Sequence, residues 1–464
     1  MTLPSRSLDE INALIVASFP ESLETLKSLV RIPSVSWDGF PAEEVRRSAE
    51  FVAERVRALG IFEDVRIVTE PFADGPGYGQ PAVLARRDPA PGYPTVLLYA
   101  HHDVQPPGDA QTWESEPFEP VERDGRLYGR GSADDKAGVV VHLTALETIA
   151  DVLGDDLNIG LALFIEGEEE FGSRSFGSVL DRHAAILNSD IIVVADSDNR
   201  SVDTPSLTVS LRGNVAFSLT ISTLDHASHS GMLGGAVPDA MMAATTLLAR
   251  LYNQDGSVAI AGLHTHDALV PEFTRDELVR DSGLQEGVSD IGTGPILSRL
   301  WFQPAISITG IDAPTVQNAS NTLIPSVMVK ISVRIAPGQT SSDAFVHIEK
   351  HLRATVPWGA HLEFSHIDLG DSFLVDSSGS AATLELGALR DAWAGADPVR
   401  VGVGGSIPFV AELVERFPNA QILITGVEDP QSRAHSPNES LSLTVFRRAI
   451  VAETLFLLRL NDRD

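Results

Sequence analysis

The sequence predicts an α/β protein whose mostly parallel mixed sheet is flanked by helices and interrupted by an inserted second domain. Two observations support this prediction. Short, continuously apolar runs alternate with segments of helical periodicity toward both ends of the chain, as expected of strands covered on both faces. In the middle of the chain apolar and polar residues alternate instead, which is typical of antiparallel strands with one exposed face.

The outer elements follow from these patterns. Helical spacing predicts an opening helix over 8–30, which stops before Arg31-Ile32-Pro33, and a second helix over 41–59. Buried strands are predicted for the apolar runs 96–100, 159–165, 191–195 and 422–425, and further helices for 136–153 and 381–393. We therefore assign 1–206 and 375–464 to one α/β domain.

Residues 207–374 are predicted to form the inserted domain. Their pattern indicates, in order, a strand (207–223), a helix (238–252), two strands (306–310, 326–335), a helix (341–355) and a strand (361–369). This β-α-β-β-α-β order is that of a ferredoxin-like fold, in which two helices cover one face of the sheet. The partly acidic excursion over 253–300 stays unassigned.

Composition excludes several classes of function. The 464 residues include 34 Lys plus Arg against 64 Asp plus Glu, and the net charge of −30 disfavours binding to nucleic acid or anionic membranes. There is no cysteine, so His, Asp and Glu are the strong metal ligands that remain. No apolar run approaches the ~20 residues that cross a bilayer, and the N-terminus lacks the basic region of an export signal. We expect a cytoplasmic protein.

Histidine and acidic clusters directly follow three of the predicted buried strands. The clusters are His101-His102-Asp103, Glu166-Gly167-Glu168-Glu169-Glu170 and Asp196-Ser197-Asp198. Ligands of open α/β sheets bind at the carboxyl ends of the strands, so these clusters should converge. Two further candidates are Asp134, where a predicted helix begins, and His435 near the C-terminus.

The convergent residues form a candidate metal site. Its ligands would be His101, Asp134, Glu170, Asp196 and His435. One catalytic zinc needs about three protein ligands, so a set of this size favours two metals with Asp134 as the bridge. Taken alone, each residue has an ordinary explanation, such as a solvated loop for 168–170 or a helix N-cap for Asp134. Their coincidence at strand ends favours the metal site.

Two neighbours of the candidate ligands have their own expected roles. Asp103 lies two residues after His101, so in an extended strand its carboxylate would share a face with that ring and hold its far nitrogen. Glu169 precedes Glu170 in what we expect to be an extended loop. The two side chains would then point in opposite directions, with Glu170 on a metal and Glu169 facing a water.

The same residues lie in motifs that together carry a family resemblance. The motifs are His101-His102-Asp103-Val104-Gln105-Pro106, Trp113 with Pro117-Phe118, Asp124-Gly125-Arg126-Leu127-Tyr128-Gly129-Arg130-Gly131, Asp134-Asp135-Lys136, Glu169-Glu170 with Gly172-Ser173, His229-Ser230-Gly231, Gly404-Gly405-Ser406-Ile407-Pro408 and Ala434-His435-Ser436. They closely resemble the co-catalytic di-metal peptidase family that contains carnosinase, bacterial dipeptidases, aminoacylase and glutamate carboxypeptidase, with the dipeptidase branch nearest. The resemblance runs from Arg31 nearly to the C-terminus.

The resemblance implies a role for each matching position in the metal centre. His101 and Asp196 would bind one metal, Glu170 and His435 the other, and Asp134 both, with a cis peptide between Asp134 and Asp135. Glu169 would be the general base and acid, and Asp103 would orient His101. The expected cofactors are two divalent ions: zinc is the default, and the nitrogen and oxygen ligands also suit manganese or cobalt.

The resemblance also assigns the inserted domain and the substrate-binding residues. The inserted domain would be a lid that forms a homodimer, with His229 reaching the partner subunit's active site to stabilise the oxyanion. The carboxylate end of a small peptide substrate would be held by Arg334, by Asn321 or Thr322, and by the turn at Gly405 and Ser406.

These assignments predict amide-bond hydrolysis of dipeptides or short peptides that have a free carboxylate. A metal lowers the pKa of bound water from about 15.7 to about 7, whereas a carboxylate of pKa near 4 does not usefully deprotonate free water. Glu169 would therefore take the proton from a metal-bridging water and pass it to the leaving amine.

One position departs from the family pattern. In the carnosinase branch an Arg-Glu pair usually precedes the Gly-Gly-Ser-Ile-Pro run, and its Glu is placed to bind the free amine of the substrate, but this chain has Gly402 and Val403. Glu428 or Asp429 could take over that role. Hydrolysis of N-acyl amino acids, whose amine is blocked, is therefore an alternative.

Two other readings are less favoured. A catalytically silent binding protein on the same scaffold would be expected to have lost a ligand, whereas all five ligands and Glu169 are present. His264-Thr265-His266 superficially resembles the His-x-His motif of barrel amidohydrolases, but no buried strand precedes it. We interpret it as a surface loop.

Overall fold

The computed structural model describes residues 7–73, 75–266, 270–375, 377–403 and 408–462. Its Cα positions divide into two units. The first contains Met1–Val209, Val375–Val401 and Glu412–Asp464, and the second contains Ser210–Leu374 and Gly402–Ala411.

The elements of the described residues are as follows. The helices are α1 (Leu8–Val30), α2 (Ala42–Ala58), α3 (Lys136–Leu153), α4 (Phe176–Arg182), α5 (Ala184–Leu187), α6 (Ser230–Leu233), α7 (Ala240–Ala249), α8 (Arg275–Ser282), α9 (Ile296–Trp301), α10 (Ser341–Thr355), α11 (Ser380–Ala392), α12 (Pro408–Arg416) and α13 (Leu443–Asn461). The strands are β1 (Asp64–Val68), β2 (Ala82–Arg87), β3 (Thr95–His101), β4 (Val121–Arg123), β5 (Arg126–Tyr128), β6 (Gly160–Glu166), β7 (Ile191–Val194), β8 (Ser206–Leu211), β9 (Gly213–Ser222), β10 (Ser228–His229), β11 (Ala305–Asp312), β12 (Thr322–Leu323), β13 (Ser326–Ile335), β14 (His361–Gly370), β15 (Phe373–Leu374), β16 (Val399–Val403), β17 (Gln421–Ile424) and β18 (Ser440–Ser442).

The large sheet confirms the predicted mixed α/β class. Its strand order is β1-β2-β6-β3-β7-β17-β8-β15, with β16 beside β8. The adjacent strands β6, β3, β7 and β17 are parallel, while β1, β2, β8 and β15 pair antiparallel with their neighbours. All residues of β3 and β6 are buried. Helices α1, α3 and α13 pack together over the face that carries Leu98 and Leu163, and Phe176 of α4 packs against Tyr99 and Phe164 on the other face. This double coverage explains the continuously apolar runs.

The second unit contains a ferredoxin-like sheet, as predicted. Its strand order is β11-β13-β9-β14, and every pair is antiparallel. Along β13 the residues at alternate positions, from Val327 to Ile335, are buried. They pack with apolar residues of α7 and α10, including Leu247 and Ile348, so the helices cover this face of the sheet.

The single strand predicted over 207–223 is wrong. The structure has two strands there, and they belong to different sheets: β8 pairs with β17 and β15, whereas β9 lies between β13 and β14. The chain changes sheets at Arg212 and Gly213. A Cβ atom on Gly213 would lie 2.7 Å from the carbonyl oxygen of Gly370, so only glycine fits this close approach. Alternation of polar and apolar residues continues through the change and does not reveal it.

Within the unassigned excursion, the described residues 253–266 and 270–300 contain α8 and all but the last residue of α9. Residues Thr274 and Glu277 form a capping box at the start of α8, and Gly283 ends that helix in the left-handed region. Each helix is too short to show a clear helical period in the sequence.

Helix α3 is long and apolar enough, by length and composition, to cross a membrane. Within the first unit, however, 61% of its apolar window is buried. It packs against α1, α13 and β3. Its apolar composition is therefore explained by its place in the core.

A buried acid in this core gives a testable dependence of stability on pH. The side chain of Glu385 on α11 is 3% exposed, and burial together with nearby Glu453 raises its pKa from an ordinary 4.5 to about 8. An acid with a raised pKa in the folded state contributes stability below its unfolded pKa and loses it as the pH rises through its folded pKa. We expect Glu385→Gln to be more stable than wild type at pH 9, by about 5 kcal/mol, and similar at pH 4.

Urea denaturation at both pH values measures this difference. The exposed Glu54 on α2 supplies the control variant Glu54→Gln, which should show no such dependence. Equal effects of Glu385→Gln at pH 4 and pH 9 would contradict the prediction.

Candidate metal centre

The parallel strands bring the predicted ligands to one edge of the large sheet. His101 is the last residue of β3, Glu170 lies just beyond β6, and Asp196 lies just beyond β7. These three strands are neighbours, so their carboxyl ends meet. Asp134 precedes α3, and the peptide between Asp134 and Asp135 is cis. His435 lies between β17 and β18.

The two oxygens of Asp134 face different groups of side chains. Oδ1 of Asp134 lies 3.1 Å from Nε2 of His101, and that same nitrogen is 3.9 Å from Oδ1 of Asp196. Oδ2 of Asp134 lies 3.0 Å from Nε2 of His435, which is 3.1 Å from Oε2 of Glu170. Asp134 thus belongs to two groups of three possible ligands.

This arrangement fits a pair of divalent cations. Tetrahedral ligands bonded at about 2.1 Å lie about 3.4 Å from one another, and the separations between these donor atoms bracket that value. Within each group, the candidate ligand atoms all lie within 4.8 Å of one another. The donors are imidazole nitrogens and carboxylate oxygens, a set that suits zinc, manganese and cobalt.

Electrostatics also favours added positive charge at this site. Burial, followed by the charge of Asp134, raises the pKa of Glu170 to about 7, and burial raises the pKa of Asp196 to about 6. Hydrogen bonds to Asp134 and Glu170 raise the pKa of His435 to about 11. Burial opposes ionisation of Asp134, yet hydrogen bonds from His101 and His435 hold its pKa below the usual range. The side chains share protons that cations would displace.

Asp103 holds both His101 and the acidic turn. Nδ1 of His101 lies 3.3 Å from Oδ1 of Asp103 and 3.1 Å from its carbonyl oxygen. The carboxylate also accepts hydrogen bonds from the backbone N–H groups of Glu169 and Glu170, at 3.2 and 3.1 Å. One buried side chain therefore fixes an imidazole and the start of the turn together.

The extended loop expected at Glu169 and Glu170 is wrong. These residues begin a 3-10 turn, Glu169–Phe171, because Asp103 accepts the N–H groups at its start. The turn still separates the two carboxylates. Glu170 joins Asp134 and His435, whereas Glu169 belongs to neither ligand group and is partly exposed. Burial and the charge of Asp196 raise the pKa of Glu169 well above its usual range, despite the opposing effect of His101.

Sequence reasoning missed two residues that support the candidate ligands. Ser36 donates a hydrogen bond of 2.6 Å from Oγ to Oδ2 of Asp103. Gln105 donates from Nε2 to Oε2 of Glu170 at 2.7 Å and from its backbone N–H to Oε1 at 3.2 Å. Gln105 lies in the first motif and Ser36 lies within the stretch that the resemblance covers. Neither side chain is a strong metal ligand, so a search for ligands passes over them.

The second unit contains His229, Asn321, Thr322 and Arg334 of the other predicted site residues. His229 and Thr322 are register partners in the pair β10–β12, and the carbonyl of Asn321 accepts the N–H of Ser230 at 3.0 Å. The N–H of Gly231 donates to Nδ1 of His229 at 3.1 Å, so a neutral ring has its proton on Nε2.

The remaining predicted substrate-binding residues are Arg334, Gly405 and Ser406, which lie outside the strand pair β10–β12. Arg334 lies on β13 in the four-stranded sheet and is partly buried. Gly405 and Ser406 lie outside the described residues.

The structure separates the two candidates for binding the substrate amine. Asp429 is buried, and its carboxylate accepts hydrogen bonds from Nη1 of Arg126 at 2.9 and 3.2 Å. This pairing makes Asp429 part of the loop structure and favours Glu428 over Asp429 as the amine ligand, which stays a prediction. Glu428 forms a parallel bridge with Asp198, just beyond β17 and β7. It lies near Asp134 and Asp196, whose charges, after burial, raise its pKa well above the usual range.

The His-x-His segment belongs to neither metal-ligand group found among the described residues. His264 is exposed, and the ring of His266 hydrogen-bonds the carbonyl oxygen of Pro337. These contacts agree with a surface loop.

Comparison with known proteins identifies similar chains over nearly the full length. The family model for Peptidase family M20/M25/M40 matches residues 97–459. A cysteinylglycine-S-conjugate dipeptidase from Corynebacterium striatum is 32% identical over 421 residues, which cover 90% of each chain. A Beta-Ala-His dipeptidase from Rattus norvegicus is 27% identical, covering 94% of this chain and 92% of the relative.

Solved structures show the same fold. The di-peptidase Dug1p from Saccharomyces cerevisiae superposes with a TM-score of 0.81 at 25% identity, covering 99% of this chain and 100% of that one. Human carnosine dipeptidase 1 gives a TM-score of 0.80 at 24% identity, with the same coverage.

Proposed function

Because this chain belongs to peptidase family M20/M25/M40, we propose that it is a metal-dependent dipeptidase that hydrolyses the amide bond of short peptides. One observation supports this most directly: the two oxygens of Asp134 face two groups of ligands, each with one imidazole and one further carboxylate. Relatives that cover nine-tenths or more of the chain are named as dipeptidases.

The proposed metal ligands divide into two sets. His101 and Asp196 would hold one ion, Glu170 and His435 the other, and Asp134 both. Divalent ions bound there would supply Lewis acidity and lower the pKa of a bound water. We propose Zn²⁺ as the native metal, with Mn²⁺ and Co²⁺ as the other ions that these donors suit.

Glu169 would move the proton in the reaction. Its carboxylate joins neither ligand group but interacts electrostatically with His101 and Asp196, and its backbone N–H donates to Asp103. Its carboxylate would accept the proton that the attacking water gives up. Glu169 would then pass this proton to the leaving amine, which otherwise departs as an unstable anion.

The second unit would supply substrate contacts, consistent with a lid formed by 207–374 and a catalytic domain formed by 1–206 and 375–464. The proton on Nε2 of His229 would donate to the developing oxyanion in the partner subunit of a homodimer. Support for this role comes from the N–H of Gly231, which occupies Nδ1. Arg334, Asn321, Thr322, Gly405 and Ser406 would bind the substrate carboxylate. A cytoplasmic location stays a prediction.

A substrate panel tests the proposed function. Metal-free protein reloaded with Zn²⁺, Mn²⁺ or Co²⁺ would be assayed on Cys-Gly and β-Ala-His, on their N-acetyl forms, and on N-acetyl amino acids. We expect free dipeptides to be hydrolysed fastest and chelation to abolish turnover reversibly. Faster hydrolysis of N-acetyl amino acids would instead identify a deacylase, and no turnover with two bound ions would identify a binding protein.

Glu428 is the proposed ligand of the substrate amine. Removing its charge by Glu428→Gln should raise KM for free dipeptides about tenfold or more, since hydrogen bonds to charged groups contribute about 1.5–3 kcal/mol. The kcat should change little. N-acetyl dipeptides, which lack the ammonium group, are the control substrates, and their KM should not change. An unchanged KM for free dipeptides would contradict the assignment.

A further inference from the structure

Glu439 joins the two loops that carry Asp134 and His435. It lies on the His435 loop, just before β18, and its side chain is fully buried. Oε1 of Glu439 accepts the backbone N–H groups of Ala133 at 2.9 Å and Asp134 at 3.2 Å. Oε2 accepts the N–H of Gly131 at 3.1 Å and Nη1 of Arg130 at 2.6 Å.

We propose that Glu439 is a positioning residue that fixes Asp134 relative to His435, so that the two metal ions bind as a pair. The inference rests on the proposed metal centre. Three backbone N–H groups of one short turn point at the same carboxylate, so its position sets the main chain from which Asp134 extends. The donors lie in the turn before Asp134, whereas the accepting carboxylate belongs to the loop that carries His435.

The far side of the His435 loop is tied to the same part of the chain. Nε of Arg126 on β5 donates to Oγ of Ser440 at 2.8 Å, and its Nη2 donates to the carbonyl oxygen of Ser440 at 2.9 Å. The backbone N–H of Gly129 donates to the carbonyl oxygen of Glu439 at 3.1 Å. Besides these bonds and the contact between the side chains of His435 and Asp134, the Glu439 carboxylate links this loop directly to the backbone of Asp134.

Each oxygen of Glu439 receives two donors, so the site requires a carboxylate rather than an amide. In Glu439→Gln the amide NH₂ group would replace either Oε1 or Oε2. In both orientations it would face two N–H donors instead of an acceptor. At least two hydrogen bonds to the turn would be lost, and the donors would repel each other. The volume and most of the packing would be kept.

Gln105 offers a contrasting variant because it holds a ligand of one group only. Its side chain and backbone N–H donate to the carboxylate of Glu170, which belongs to the group with His435. Gln105→Leu should therefore weaken the binding of one ion. Glu439→Gln should weaken the binding of both ions, since Asp134 belongs to both groups.

Calorimetric titration of the metal-free full-length protein with Zn²⁺ tests the proposal. We expect two ions in wild type, both bound about 10–100-fold more weakly in Glu439→Gln, as is typical when a residue supporting a ligand is changed. Gln105→Leu should weaken the binding of one ion. The matched buried variant Glu385→Gln should bind both ions as wild type does. Wild-type affinities in Glu439→Gln, or the loss of one ion only, would overturn the inference. Failure of wild type to bind two ions would instead reject the metal centre itself.

Hydrogen exchange in metal-free wild type gives a test that needs no variant to fold. The amides of Gly131, Ala133 and Asp134 should exchange slowly even without metal, because the Glu439 carboxylate binds them. Rapid exchange of these three amides in an otherwise protected core would overturn the inference.

Discussion

Replacing Glu169 with Gln is expected to lower kcat by about 10²–10⁴-fold while both metal ions stay bound. The reason is that Glu169 belongs to neither ligand group, yet its backbone is fixed by Asp103 at the same edge of the sheet. Glutamine keeps the shape of the side chain but cannot accept a proton from water or deliver one to the leaving amine. KM should change much less than kcat, because this interaction arises during proton transfer.

Steady-state kinetics together with metal analysis of the purified variant measure this effect. Two ions per chain in Glu169→Gln, as in wild type, would show that the loss is chemical. The buried variant Glu385→Gln, which lies in the core beside Glu453, is the control and should keep its kcat. Wild-type turnover in Glu169→Gln would remove Glu169 from the mechanism.

Replacing Asp134 with Ala is expected to abolish both metal binding and activity. Its oxygens lie 3.1 Å from Nε2 of His101 and 3.0 Å from Nε2 of His435, so its removal takes a ligand from each group. It also leaves the remaining imidazoles and carboxylates of the site without their shared partner. Each group would be reduced to one imidazole and one carboxylate, below the about three protein ligands of a catalytic zinc site.

Single-group variants provide the comparison. Asp196→Ala removes a ligand from the His101 group, and His435→Ala removes one from the Glu170 group. After dialysis each should retain about one ion per chain, whereas Asp134→Ala should retain about none. Atomic absorption or mass spectrometry measures the stoichiometry. Two ions retained by Asp134→Ala would contradict its place between the groups.

Much of the architecture could be predicted because burial leaves a local pattern. The runs over 96–100 and 159–165 are continuously apolar because helices cover both faces of β3 and β6. The alternation along 326–335 reflects one buried and one exposed face of β13. Where two strands of different sheets follow each other, as at Arg212 and Gly213, the pattern continues and the change is invisible.

The candidate metal ligands could be predicted for a related reason. Their residue types are those that bind metals, and a parallel sheet brings the carboxyl ends of its strands together. His101, Glu170 and Asp196 could therefore be predicted without knowing any contact. The choice between Glu428 and Asp429 was different. It depended on Arg126, which pairs with Asp429 across 303 positions of the chain.

The sequence by itself determined the fold class, the family and the residues able to bind cations, because burial periodicity and side-chain chemistry are local properties. The tertiary structure alone decided which carboxylates already have hydrogen-bond or salt-bridge partners within the protein. Asp103 is bound to His101 and to the turn at Glu169, Asp429 to Arg126, and Glu439 to the turn before Asp134. Hydrogen bonds between distant segments leave no period in the sequence, since each depends on where the chain returns.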